Sequence, residues 1–169
     1  MNKWKVYGLI LFFALIIIFF IPFKETVAFH YEDTRNLLAY LSVEEEDTFQ
    51  INYTHSIHLT EVIETYELSN KQIKQIELSY DTFAVGMPSG PEGDEVFERE
   101  NGRYIISNMN RTFPFIDLSI GQVVANHRAV YMGKEYELKT FIKPGTWVRI
   151  SYETMNLFQL LRGVKMNEG

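Results

Sequence analysis

Between Phe49 and Leu68 the chain alternates apolar and polar residues with a period of two, and this stretch restricts the fold more than any other. Side chains two apart in a strand point to the same side of a sheet. Phe49, Ile51, Tyr53, His55 and Ile57 therefore share one face of a first arm, and Val62, Glu64, Tyr66 and Leu68 share one face of a second. A turn across residues 57–62 closes the two arms into a β-hairpin. One polar residue interrupts each apolar face, His55 on the first arm and Glu64 on the second, and the hairpin sets them opposite each other. A buried carboxylate or imidazole is costly unless paired. The pattern thus predicts a His55–Glu64 pair, with Tyr53 and Ser56 beside it, as the candidate ligand-binding cluster.

Further strands are expected over residues 73–83, 104–107, 115–120 and 147–152, with a hairpin over 130–142 turning at Met132-Gly133-Lys134. Residues 86–93 (GMPSGPEG) fit neither helix nor strand and read as a turn-rich loop. Its backbone N–H groups would offer an anion nest, with Gly86 and Pro88 adjoining the hairpin cluster. Strands at this spacing with little helix predict an all-β domain, an antiparallel sandwich or barrel. Ahead of the hairpin, Leu37, Leu38 and Leu41 have helical spacing, so one short helix capped by Asp33 or Thr34 is expected there. Glu44 to Asp47 form an acidic turn with a solvated face. Near the end, Asn156 is placed to cap a helical turn carrying Leu157, Phe158, Leu160 and Leu161 and closed by Gly163, which would plug one end of the sheet.

Residues 6–23 are apolar and carry no charge. As a helix they measure about 27 Å, against roughly 30 Å for a bilayer core. Trp4 and Tyr7 fall where an interfacial aromatic belt would sit, and Lys3 and Lys5 keep the N-terminus in the cytoplasm by the positive-inside rule. A cleavable signal peptide would have a shorter apolar core ending in small residues, and Thr26-Val27-Ala28 is only a passable cleavage site. The expected organisation is an anchor or long signal peptide over 1–24, a connector over 25–47 and an extracytoplasmic β domain over 48–169. The protein would then be a single-pass cell-membrane protein.

Several chemistries are excluded by composition. With no cysteine there is no disulfide, thiolate metal site, cysteine nucleophile or lipoprotein anchor. A net charge of -6, without a basic stripe interleaved with aromatics, argues against nucleic acid. His55 and Ser56 are neighbours in a strand, so they face opposite ways and cannot act as base and nucleophile. Ser89 lies in Met-Pro-Ser-Gly, not in a nucleophile elbow. A metal would have to use His55 and Glu64 with help from Glu61, His58, His30 or His127, and none of these has the His-Glu-x-x-His spacing. No cofactor is expected. A metal-dependent or hydrolytic enzyme using the His55/Glu64 cluster and a purely structural envelope protein remain the alternatives to recognition.

The run Tyr53-Thr54-His55-Ser56-Ile57, followed by Val62, Glu64 and Tyr66 and then by Phe83 and Gly86-Met87-Pro88, resembles an uncharacterised bacterial domain family with a Tyr-x-His-Ser signature. The resemblance covers most of the chain after about Thr48. Members of that family are often encoded beside TAXI-type TRAP transporters, importers that use an extracytoplasmic solute-binding protein. The resemblance brings no established activity. It implies a small accessory module of solute uptake that handles carboxylate-like solutes or contacts the permease or its binding protein.

Overall fold

The computed structural model describes residues 3–82, 87–88 and 90–167. The chain opens with helix α1 (Lys3–Phe20) and continues through β1 (Lys24–Tyr31), β2 (Leu37–Ser42), β3 (Thr48–Thr54), β4 (Glu61–Ser69) and β5 (Gln72–Tyr80). Next come β6 (Val96–Glu100), β7 (Arg103–Ser107), β8 (Arg111–Phe113), β9 (Ile116–Ser119), β10 (Arg128–Tyr131) and β11 (Lys134–Glu137). The short helix α2 (Leu138–Phe141), the long strand β12 (Trp147–Met155), the turn of helix α3 (Leu157–Leu160) and β13 (Val164–Lys165) complete it. The protein is mostly β, with 49% of residues in strands and 14% in helices.

Two sheets pack face to face. One has the order β13-β2-β1-β12-β9, and the other β11-β10-β3-β4-β5-β7-β6 with β8 paired to β5. Neighbouring strands run antiparallel except for the short β13–β2 pair. Val27, Phe29, Leu41 and Ile150 of the first sheet meet Phe49, Ile51, Leu68 and Ile73 of the second in one buried core. A smaller cluster of Val62, Leu78, Tyr80, Ile106 and Met109 lies farther along the second sheet.

Local chemistry accounts for the tight turns. Asn70-Lys71, Asn101-Gly102 and Met132-Gly133 each place two consecutive residues at positive φ. Two-residue loops of that kind match the right-handed twist of the strands they join. The hairpin turning at Met132-Gly133 is where alternation placed it.

The segment 25–47, read from its sequence as a connector with a short helix, carries two strands instead. β1 lies between β2 and β12 at the middle of the five-stranded sheet. Leu37, Ala39, Tyr40 and Leu41 are all buried because both faces of β2 are covered. A strand buried on both sides loses its period of two and imitates a helix. At the other end, the Asn156 reading holds. Its side chain accepts from the Gln159 N–H at 2.9 Å, and the Gln159 amide oxygen accepts from the Asn156 N–H at 3.0 Å, a full capping box. Leu160 then packs on Ala28, Leu37, Tyr40 and Met155. α3 therefore lies against the outer side of the five-stranded sheet rather than plugging its end.

Among the described residues no helix is long and apolar enough to cross a membrane. Helix α1 has 18 residues, and Leu9, Ile10, Phe12, Ile17 and Ile18 are among its exposed large side chains.

Candidate functional site

The hairpin forms, but its register separates the two residues expected to pair. Tyr53 lies opposite Val62, Thr54 opposite Glu61, and Ile51 opposite Glu64. The strand ends at Thr54, so His55 belongs to the connecting loop, four residues beyond Glu64's partner. At about 3.3 Å per residue that is roughly 13 Å along the strand direction. The expected His55–Glu64 pair is therefore absent. His55 accepts a hydrogen bond from the Ile57 N–H at 3.3 Å and lies 5.6 Å, ring to ring, from His58. The His55 N–H donates to the Thr60 carbonyl, and the Leu59 N–H returns to the His55 carbonyl, closing a compact loop. Ser56, Ile57, His58 and Leu59 are exposed on it.

Glu64 does face inward between Val62 and Tyr66, as the alternation requires, at the seam between the two apolar clusters. Tyr53 packs against both clusters. Instead of an imidazole, Glu64 finds two phenols. The Tyr66 hydroxyl donates to it at 2.7 Å, and the Tyr53 hydroxyl reaches its other oxygen at 3.5 Å, the limit of a hydrogen bond. Burial pushes the Glu64 carboxyl above the ordinary carboxylate range, and the two phenolic hydrogen bonds only partly oppose it. The same burial, with the carboxylate nearby, raises both tyrosines.

His127 stands beside this cluster, its ring 5.4 Å from that of Tyr53. Its Nδ1 accepts from the Gly121 N–H at 3.0 Å, which leaves the proton on Nε2, and burial lowers its pKa. Two phenols hydrogen-bonded to one carboxyl with a raised pKa, and a separate buried imidazole, make a satisfied polar cluster. They present no activated nucleophile.

Glu61, considered above as a further metal ligand, is held by cations. Arg128 pairs with its Oε1, and Arg103 approaches its Oε2 at 3.6 Å while holding Asp81 at 3.0 Å and Ser79 at 2.9 Å. His30 lies on the other sheet, paired with Glu153. Among the described residues no three His, Asp or Glu side chains converge as a metal-ligand set. Pro88 takes part through its backbone, its carbonyl accepting from the Tyr80 hydroxyl at 2.8 Å. Gly86, Phe83 and Ser89 lie outside the described residues, and with them the expected anion nest.

Two features escaped the sequence reading. The clamp of Arg103 and Arg128 on Glu61 joins β4 to strands 42 and 67 residues away, with no local signal. Tyr66 was legible as an inward residue, but its hydroxyl bond to Glu64, two positions back on the same strand face, was masked by the more obvious histidine.

Residues 49–138, just over half of the chain, match the model of a domain of unknown function, DUF1850. They span β3 to the start of α2 and so include the whole eight-stranded sheet, the Glu64 cluster and the His55 loop. No curated protein and no solved structure is significantly similar to the chain. The match identifies the chain as a member of the DUF1850 family.

Proposed function

We propose that this protein is a membrane-anchored extracytoplasmic accessory domain without catalytic activity of its own, serving a TRAP-type (TAXI) uptake system for carboxylate-like solutes by contacting its permease or binding protein. The carrying observation is helix α1. Its exposed apolar side chains occupy every side, including Leu9 at 55%, Ile10 at 59%, Leu11 at 61% and Ile17 at 63% exposure. A helix apolar all round belongs inside something, since each exposed Å² costs about 25 cal/mol in water. The 18-residue helix alone measures about 27 Å, short of a bilayer core of roughly 30 Å. Ile21, Pro22 and Phe23 follow it without charge and lead into β1, the Phe23 N–H already donating to the Met155 carbonyl. Lys3 and Lys5 at its start favour a cytoplasmic N-terminus, which leaves the β domain outside.

The absence of an activated nucleophile at Glu64 and the exposed, self-bonded loop at His55 favour a contact role over a hydrolytic one. The test has two parts. Membranes carrying the full chain are washed with alkaline carbonate and digested from the outer side with protease. Retention in the pellet with loss of the β domain to protease is expected, and release by carbonate would overturn the anchor. Co-expression with TRAP permease and binding-protein subunits should yield a complex that survives purification. Failure of that step removes the transporter assignment and leaves the anchor standing.

A further inference from the structure

We infer that a cleft on the outer side of the five-stranded sheet, beside α3, binds the anionic group of a small carboxylate or phosphate through Arg35 and Arg162. The cleft has a volume of about 180 Å³, below the roughly 300 Å³ at which pockets begin to hold drug-sized ligands. Leu37 and Met155 supply its apolar part, and His30, Glu153, Arg35, Gln159 and Arg162 its polar part. All of these residues lie outside 49–138, so the family match does not account for the cleft.

Arg103, Arg111, Arg128 and Arg149 each hold at least one carboxylate. Among the described residues Arg35, Arg99 and Arg162 hold none. Arg99 instead lies over the Tyr104 ring. The other two line the same cleft, in a chain that carries 22 acidic side chains and a net charge of -6. A guanidinium offers five N–H donors in a fork suited to a carboxylate or phosphate.

The one acid in the cleft is already engaged. Glu153 Oε1 lies 2.5 Å from His30 Nε2 and accepts from the Ser151 hydroxyl at 3.1 Å. His30 Nδ1 is buried with no hydrogen-bond partner. Gln159 is held by the capping box through its amide oxygen, so its N–H₂ remains to donate. Arg162 is steadied over the Phe158 ring at 5.5 Å. Phe158 in turn packs on Phe19 and Phe20 of α1, and the Asn156 side chain donates to the Phe20 carbonyl at 3.2 Å. The cleft therefore adjoins the end of the apolar helix. A free solute anion and a lipid headgroup would present the same chemistry to it. The inference rests on the cleft alone and does not require the transporter assignment.

The test uses the full chain in a nonionic detergent at constant ionic strength, with chloride as the reference salt. Thermal stability is followed against millimolar inorganic phosphate, succinate and short-chain phosphatidylglycerol. At least one should raise the melting temperature saturably by several degrees. A response to phosphate or succinate assigns a free anion, and a response to phosphatidylglycerol alone assigns a headgroup; either supports the site. Arg35→Gln and Arg162→Gln should each weaken the apparent affinity about tenfold, as expected for loss of one charge-assisted contact. The double variant should abolish the response, and Arg99→Gln should preserve it. Both cleft arginines are exposed, and unchanged melting of the variants in chloride verifies that they fold. No response to any of the three compounds overturns the inference. So does a full response from the double variant, or an equal loss in Arg99→Gln.

Discussion

Glu64 and Glu153 are both partly buried glutamates on sheet faces, yet the fold moves their carboxyls in opposite directions. Burial is the largest influence on each and raises each. At Glu64 only the phenols of Tyr66 and Tyr53 oppose it, so the pKa stays raised. At Glu153 the His30 imidazole opposes it by hydrogen bond and by charge, the Ser151 hydroxyl adds to this, and the pKa falls below the usual range. Glu153 is both less deeply buried and paired with a group that can carry a positive charge, and together these lower its pKa where that of Glu64 stays raised. The difference also separates the roles of the two regions. The Glu64 cluster pairs a carboxyl with phenols at the seam of the core, where Tyr53 packs against both apolar clusters. The Glu153 region is charged and opens onto a cleft.

The largest expected effect follows from removing the inner carboxyl. Glu64→Ala leaves the Tyr66 hydroxyl without its acceptor and opens a small cavity. Denaturant unfolding should show a loss of about 2–3 kcal/mol. A loss under about 0.5 kcal/mol would mean that water already serves the tyrosines and that the seam contributes little.

Glu153→Gln should cost less, about 1 kcal/mol at neutral pH, because the Glu153 side chain is 33% exposed and solvent screens the pair. Its pH dependence sharpens the comparison. The folded pKa of Glu153 is lowered, so its contribution is present above the unfolded value of about 4.3 and is lost as pH falls through the folded value. Wild type and variant should converge in acid. Glu64 has a raised folded pKa, so its contribution is complete below the unfolded value and is lost as pH rises through the folded one. Unfolding curves across that range should therefore give the two sites opposite slopes.

The smallest effect belongs to His55. On an exposed loop, His55→Ala should change stability by less than about 0.5 kcal/mol. In a double-mutant cycle with Glu64→Ala the losses should add to within about 0.5 kcal/mol. Coupling well beyond that would restore the His55–Glu64 pairing which the register rules out.

How much of this was legible depended on range. The β3–β4 hairpin, the Met132-Gly133 turn and the Asn156 cap are specified by neighbours in sequence, and alternation or capping chemistry reveals them. Alternation shows that Glu64 faces inward, but not where a strand stops. Thr54 is the last ladder residue, its N–H donating to the Ala125 carbonyl, and the polypeptide turns immediately after it. That single boundary removed His55 from the cluster. The Glu153 region depends on a register spanning 123 residues and on an irregularity opposite Phe29 and His30, where Leu38 of β2 is skipped in the pairing. No local pattern encodes either. β2 failed for a third reason, because burial on both faces erases the period that marks a strand.

The most direct test is a carboxyl NMR titration of the full chain labelled with ¹³C at the glutamate side-chain carboxyls, assigned with Glu64→Gln and Glu153→Gln. Glu64 should titrate above the ordinary glutamate value of about 4.3 and Glu153 below it. If Glu153 titrated at or above Glu64, the imidazole would not be stabilising its charge. The division between an inner seam that disfavours charge and an outer cleft that favours it would then be wrong.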